Sequence, residues 1–190
     1  MVVGMDTLGP NPARGFLMLA LMVIDVQRGM FGGAEPWHGE AVVARIANLI
    51  ARARAAAVPV FYVQHDGGPG DEFNKDGPGF AFHPAIAPQA GDPVTVKRRS
   101  SGFYQTDLDD RLKAAGIDAL VICGLQTEYC VDATVRSAFE RGYRLTVAAG
   151  GHTTFDSELL PAATIIAHTQ HIWNGRFARL KPAGEIDFAV

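Results

Sequence analysis

Short apolar runs alternate with segments of helical periodicity along most of the chain. The strand-like runs are 19–26, 58–65, 92–98, 118–124, 144–150 and 176–180. The helical segments are 39–57, 106–116, 127–142 and 161–173, and the first of these repeats apolar residues at a spacing of three or four. Runs that are apolar on both faces are typical of strands covered by helices on both sides of a parallel sheet. The pattern therefore predicts an α/β protein.

The same pattern predicts one domain. A chain of 190 residues with 48% hydrophobic and 19% charged residues can build a single sizeable core. We expect a flexible leader at residues 1–16 and a single domain at residues 17–190. The run 15–24 resembles the core of a signal peptide, but Asp25 ends it, no small-residue cleavage site follows, and it is too short to span a bilayer. The segment 66–93 is rich in glycine and proline, so we expect it to be functional or to contain a small element.

Charge and cysteine content exclude some classes of function. The formal net charge is −3 and the chain has no basic block, which gives little support to nucleic-acid binding. Two cysteines do not form a disulfide framework, and we expect both to be reduced in a cytoplasmic protein without a membrane partner.

Three chemically capable residues follow three different predicted strands. Asp25 ends the first strand, Lys97 ends the third, and Cys130 follows the fourth by one turn. Carboxyl ends of parallel strands meet at one edge of the sheet, so the three side chains are expected there together. A carboxylate inside an apolar run is costly to bury unless it is paired, and Lys97 is a suitable partner.

Cys130 precedes a predicted helix, and two opposing influences act on its thiol. Backbone N–H groups at a helix start favour an anion and lower a thiol pKa, whereas a carboxylate such as Asp25 raises it. The sequence leaves that balance open. N–H groups of the same turn could also bind an oxyanion, which would complete an acyl-transfer site. A cysteine that only fills space is the simpler interpretation, and it is the one we adopt for Cys123.

Three stretches together carry a resemblance to a known family: "VIDVQ", a lysine ahead of "SGFYQTDLDDRL", and "VICGLQTEYCVDATVRSAFERGY". The chain resembles the isochorismatase-like cysteine hydrolases from about residue 19 to residue 180. This resemblance implies a three-layer α-β-α fold with a doubly wound, mostly parallel sheet of six strands. It implies that Asp25, Lys97 and Cys130 are the catalytic triad. It also implies a cis peptide between Leu125 and Gln126, with the Gln126 and Cys130 N–H groups forming the oxyanion hole.

The resemblance also bears on metals and on the reaction. Nicotinamidases of this superfamily bind a metal through an Asp-x-His pair and a further histidine, and the matching positions here are Gln64, Asp66 and Glu72. We therefore expect no dedicated metal site and no other cofactor, although the carboxylates of Asp66 and Glu72 could hold a hard cation weakly. Isochorismatases proper cleave a vinyl ether without a cysteine nucleophile. Cys130 thus shifts the expectation toward hydrolysis of a C–N bond in a small amide or ureido compound, through a thioester.

Several residues near the motifs are candidates for the substrate pocket: Gln27, Phe31, Trp37, Phe103, Tyr104 and Thr127. His65, His152 and His171 are further candidates that could equally be structural. We expect a small-molecule amide as the substrate and a homo-oligomer, either dimer or tetramer, by resemblance. Three alternatives stay open at this point, namely a metal-assisted nicotinamidase-type amidase, a catalytically silent binding protein and a nucleotide-binding domain. The last lacks the glycine fingerprint.

Overall fold

The computed structural model describes residues 18–188, so the predicted leader at residues 1–16 lies outside the described part of the chain. Six strands form one sheet: β1 Leu19–Ile24, β2 Val60–His65, β3 Val94–Lys97, β4 Ala119–Leu125, β5 Arg144–Thr153 and β6 Arg179–Pro182. Their order is β3-β2-β1-β4-β5-β6, and every neighbouring pair is parallel. This confirms the predicted doubly wound sheet.

Within residues 18–188, four α-helices cover the sheet: α1 Gly39–Ala55, α2 Leu108–Ala114, α3 Asp132–Glu140 and α4 Ala162–Trp173. The sheet separates two hydrophobic cores. Leu21 and Val23 of β1 belong to the core that contains the apolar face of α1. Met22 and Ile24 belong to the other core, with residues of α2, α3 and the end of α4. Because successive side chains of a strand point to opposite faces, burial on both faces explains why the strands appear as continuous apolar runs.

A few element boundaries differ from the prediction. The last strand begins at Arg179 rather than Arg176, because Phe177 and Ala178 donate backbone hydrogen bonds to the carbonyl of Trp173 at the end of α4. Strand β5 continues to Thr153, past the predicted end at Gly150. Pro161 is the residue before α4 rather than part of its first turn. The segment 66–93 contains two short 3₁₀ helices, Pro78–Phe80 and Pro84–Ile86.

The strand order reverses between β1 and β4, and the chain is tightly packed at that point. Gly124 of β4 has φ of 131° and lies so close to β1 that a Cβ atom there would be 2.1 Å from the Ile24 carbonyl oxygen. Only glycine fits this position. In open parallel sheets, ligands bind at the carboxyl ends of the strands beside such a reversal. The fold thus places its crevice next to Asp25 and the segment that follows β4.

No helix within residues 18–188 is long and apolar enough to cross a membrane.

Candidate active site

The three residues predicted from the strand ends lie together at the carboxyl edge of the sheet. Lys97 Nζ is 2.7 Å from Asp25 Oδ2 and donates a hydrogen bond of 3.2 Å to Cys130 Sγ. The side chains of Asp25 and Lys97 are fully buried, and Cys130 is partly buried. Lys97 therefore contacts both the carboxylate of Asp25 at the end of β1 and the thiol of Cys130 in the turn after β4.

Each of the three is fixed by the strand or turn that carries it. Asp25 leaves β1 with a left-handed backbone, φ 50°, and its N–H donates to the Val63 carbonyl of β2 at 2.9 Å. Lys97 is the last residue of the edge strand β3, paired in register with His65 of β2. Its long side chain spans the end of β2 to reach Asp25. An aspartate tolerates the left-handed region better than most residues, which suits it to this sharp exit.

Cys130 lies in a π-helical turn, Thr127–Val131, that connects β4 to α3. The peptide between Leu125 and Gln126 is cis, as the resemblance implied. The Gln126 carbonyl accepts hydrogen bonds from the N–H groups of Tyr129 and Val131 at 3.3 and 3.1 Å. π-Turns of this kind recur at functional sites. The two expected oxyanion donors, the N–H groups of Gln126 and Cys130, belong to this turn, and their role stays a prediction.

The structure settles the balance of influences on the Cys130 thiol. Burial and then the nearby Asp25 carboxylate raise the pKa of Cys130 to about 12, although Lys97 acts in the opposite direction. The balance that the sequence left open thus favours a raised pKa, because desolvation and a like charge outweigh the lysine. The pKa of Lys97 is raised: burial alone would lower it, but Asp25 and Cys130 outweigh that effect. At neutral pH Cys130 is therefore a thiol and Lys97 is an ammonium group.

Two of the pocket candidates, Gln27 and Thr127, form hydrogen bonds that hold neighbouring segments of the fold together. The Gln27 side chain is buried; it donates to the carbonyls of His65 and Phe80 at 3.0 and 2.9 Å and accepts from the His65 N–H at 2.8 Å. Gln27 thus fastens the loop after β1 to the end of β2. Thr127 is also buried, and its hydroxyl is 2.8 Å from His152 Nδ1. It anchors the first residue of the π-turn to β5.

The aromatic candidates divide into core and surface residues. Phe103 is only 5% exposed and packs against Tyr143 in the core beside α2 and α3, and its place in a substrate pocket stays a prediction. Phe31 is partly buried, with its ring edge-on to His83. Tyr104 is 52% exposed and borders a cavity of about 440 Å³ together with Lys97. Trp37 is 42% exposed and is held by backbone contacts to the end of β5.

The positions that match metal ligands of nicotinamidases have other partners here. Gln64 donates to the Phe80 carbonyl at 2.8 Å. Asp66 accepts from the N–H groups of Gly68 and Lys75, and Arg98 is 2.9 Å from its Oδ2. These contacts lower the pKa of Asp66, and the hydrogen bond from the Gly68 N–H has the largest effect. Within residues 18–188 no group of three or more His, Cys, Asp or Glu side chains could hold a metal ion. The residues present do not fit the nicotinamidase metal.

The histidines take structural and peripheral positions. His152 is clamped between the Thr127 hydroxyl and the Gln170 amide, and burial lowers its pKa to about 4. It is therefore neutral and structural at physiological pH. His65 lies beside Lys97, and its Nδ1 is buried without a hydrogen-bond partner in the protein. Burial, then the positive charge of Lys97, lower the pKa of His65. His171 lies on α4 and is exposed.

One polar residue of the turn was not singled out from the sequence. Glu128 precedes the nucleophile candidate by two residues, and its Oε2 is buried without a hydrogen-bond partner in the protein. Its Oε1 accepts from the Thr154 hydroxyl at 2.9 Å. The available signal was an acidic residue two positions before the nucleophile candidate in the turn that follows a buried strand.

Comparison with known proteins agrees with this fold. The isochorismatase domain matches residues 19–171. A streptothricin hydrolase of Streptomyces noursei is 39% identical over 151 residues, which cover 79% of this chain and 54% of that protein. The chain therefore spans about half the length of this relative. A ureidoacrylate amidohydrolase of Methylobacterium radiotolerans is 34% identical, over 91% of this chain and 80% of the relative.

Solved structures show the same fold. An isochorismatase of Pseudomonas putida superposes with a TM-score of 0.84 at 30% identity, over 90% of both chains. N-carbamoylsarcosine amidase of Thermoplasma acidophilum superposes with a TM-score of 0.78 at 28% identity, over 90% of this chain and 99% of that one. These matches show a hydrolase with a doubly wound α/β fold. The chain belongs to the isochorismatase family of hydrolases.

Proposed function

We propose that this protein hydrolyses a non-peptide C–N bond in a small amide or ureido compound through a thioester on Cys130. The observation that carries the proposal is the contact of Lys97 Nζ with both Asp25 Oδ2 and Cys130 Sγ, at 2.7 and 3.2 Å. The names of three similar proteins support the bond type: a streptothricin hydrolase, a ureidoacrylate amidohydrolase and an N-carbamoylsarcosine amidase.

The first half of the reaction needs a base, because the raised pKa of Cys130 keeps its proton in place at rest. As Sγ forms a bond to the substrate carbonyl carbon, the thiol proton passes to the Asp25 carboxylate. Lys97 keeps its charge and stabilises the sulfur and the carboxylate while negative charge moves between them. The N–H groups of Gln126 and Cys130 are the proposed donors to the oxyanion.

The second half releases the two products. The C–N bond breaks, and the proton on Asp25 passes to the leaving nitrogen, which departs as an amine or as ammonia. A water molecule then attacks the thioester carbonyl and gives one proton to Asp25. The C–S bond breaks, and the thiolate takes that proton back from Asp25. One water is consumed, and the enzyme returns to its starting state.

The decisive experiment is to trap the thioester. The enzyme is mixed with a panel of small primary amides and ureido acids, released ammonia is measured, and the mixtures are quenched in acid for intact-mass and peptide mass spectrometry. We expect an adduct equal in mass to the acyl group, located on the peptide that contains Cys130. Cys130→Ser is the matched variant, because it replaces only the sulfur of the nucleophile by oxygen. We expect it either to accumulate an oxygen ester at this position or to turn over more slowly.

Two results would contradict the proposed mechanism. One is amide turnover that persists in Cys130→Ala. The other is turnover that stops when a chelator is added and returns with a divalent metal, which would favour the metal-assisted amidase instead. If no compound of the panel is hydrolysed, the proposed bond type is wrong.

A further inference from the structure

Glu128 has one carboxylate oxygen hydrogen-bonded and the other without a hydrogen-bond partner in the protein. Oε1 accepts from the Thr154 hydroxyl at 2.9 Å, which sets the direction of the carboxylate. Oε2 is buried and has no hydrogen-bond partner in the protein. A desolvated carboxylate oxygen without a donor is costly, and a bound ligand that donates a hydrogen bond to it would remove that cost. The atom belongs to the turn that carries Cys130, two residues earlier.

The charges around Cys130 leave Glu128 uncompensated. Asp25 and Lys97 neutralise each other, and the thiol is uncharged at neutral pH because its pKa is raised to about 12. Arg98 is paired with Asp66. Within residues 18–188 no basic side chain forms an ion pair with Glu128. The Glu128 carboxyl group therefore has no basic partner among the described residues.

An exposed aromatic side chain is tied to the same strand end. The Trp37 N–H donates to the Thr154 carbonyl at 2.8 Å, and the Thr153 hydroxyl donates to the Trp37 carbonyl at 2.5 Å. The Trp37 side chain is 42% exposed. Thr154 thus connects Trp37 through its backbone and Glu128 through its hydroxyl. A carboxylate and an aromatic ring are the two groups that proteins combine to hold an ammonium ion.

We propose that the substrate carries a positively charged amino group that donates to Glu128 Oε2 while its amide carbonyl lies at Cys130. Glu128 is then a specificity-determining residue, and it plays no part in bond cleavage. This rests on the proposed function in that Cys130 is the reacting group. An exposed Arg99, on the cavity that borders Lys97, would favour the opposite sign of substrate charge, and the experiment distinguishes the two.

The test measures how fast three methanethiosulfonates modify Cys130, namely the cationic aminoethyl, the neutral methyl and the anionic sulfonatoethyl reagents. Each rate is divided by the rate with free 2-mercaptoethanol to remove intrinsic reactivity. We expect the corrected rate of the cationic reagent to exceed that of the neutral one by about tenfold, because a nearby carboxylate attracts the cation. Glu128→Gln should remove most of that preference, and Glu128→Asp should keep part of it.

Glu140→Gln is the matched control, because it removes the same charge from the far, exposed end of α3. It should keep the wild-type preference. A second measurement uses butylammonium chloride, which should slow modification by the neutral reagent in the wild type and not in Glu128→Gln. Butanol at the same concentration should slow neither protein. Thermal melting of each variant shows whether it is folded.

Three outcomes would overturn the inference. These are equal corrected rates for the three reagents, a preference for the anionic reagent, and failure of the cationic reagent to modify Cys130 in the folded protein while it modifies the unfolded chain. None of these measurements requires turnover, so they stand apart from any failure of the hydrolase proposal. Conversely, a trapped thioester with unchanged rates in Glu128→Gln would keep the hydrolase and remove the charge preference.

Discussion

Cys123 and Cys130 are seven residues apart, and their surroundings make them chemically different. Cys123 is fully buried in β4, where its thiol donates a weak hydrogen bond of 3.5 Å to the Met22 carbonyl and burial alone raises its pKa. Cys130 is only partly buried and contacts the ammonium group of Lys97 beside Asp25. Both thiols hold their protons at neutral pH. Only Cys130 has a base close by that can take the proton during a reaction.

The segment between the two cysteines causes this difference. Up to Gly124 the chain is a strand inserted between β1 and β5, where a thiol meets apolar neighbours and backbone. After the cis peptide before Gln126 the chain turns out of the sheet into the π-turn. The nucleophile candidate is thereby placed above the strand ends, facing side chains that come from β1 and β3. A raised pKa by itself therefore does not distinguish a reactive thiol from an inert one.

The largest expected effect is the loss of activity in Cys130→Ala. On a substrate found by ammonia release, we expect kcat/KM to fall by at least about 10³-fold, since the nucleophile is removed. Cys123→Ala should keep kcat/KM within about threefold and lose about 1 kcal/mol of stability from the small cavity. Steady-state kinetics and urea unfolding of both variants measure this. An equal loss of activity in Cys130→Ala and Cys123→Ala would contradict the assignment of Cys130 alone as the nucleophile.

Asp25→Asn should separate turnover from thiol reactivity. We expect kcat to fall by about 10²–10⁴-fold, because the proton acceptor is gone. Alkylation of Cys130 by iodoacetamide near pH 8 should become faster, because a charge that raises the pKa of the thiol has been removed. Peptide mass spectrometry after timed alkylation gives the rates, with buried Cys123 as the internal unreactive control. Slower alkylation of Cys130 in this variant would show that Asp25 does not oppose the thiolate.

Lys97→Met should act in the opposite direction on the thiol and should also weaken the fold. Alkylation of Cys130 should slow, because the cation that lowers its pKa is lost. Removing one partner of a buried ion pair leaves Asp25 uncompensated, and this costs about 3–5 kcal/mol. Urea unfolding gives the change, and the double variant Asp25→Asn/Lys97→Met should recover part of it. A double variant no more stable than Lys97→Met would mean that the pair is not the source of the loss.

The smallest effect is a dependence of stability on alkaline pH. The folded protein holds the Cys130 proton more tightly than the unfolded chain, whose thiol has a pKa near 9. The resulting contribution is complete below about pH 9 and is lost as the pH rises toward about 12, with a slope of at most about 1.4 kcal/mol per pH unit. We expect the stability difference between wild type and Cys130→Ala to shrink over this range in urea titrations. A constant difference would place the thiol pKa near its unperturbed value.

Much of the fold could be predicted from the sequence, because its signals are local. Two-sided burial produces continuous apolar runs in β1, β2 and β4, and helical spacing of apolar residues marks α1. The boundaries that were wrong depend on interactions between elements. The turn bonded to the Trp173 carbonyl delays β6, and pairing with β4 extends β5 to Thr153. No local pattern reports on a partner far along the chain.

The sequence by itself determined which residues could carry chemistry, since Asp25, Lys97 and Cys130 each follow an apolar run whose end must lie at one sheet edge. Only the tertiary structure decided their protonation and their neighbours. The pKa of Cys130 depends on burial and on a carboxylate 105 positions away in the chain. The unpartnered oxygen of Glu128 and the burial of Phe103 likewise appear only once the strands are paired. Desolvation and electrostatic interaction are set by distance in space, which the order of residues does not contain.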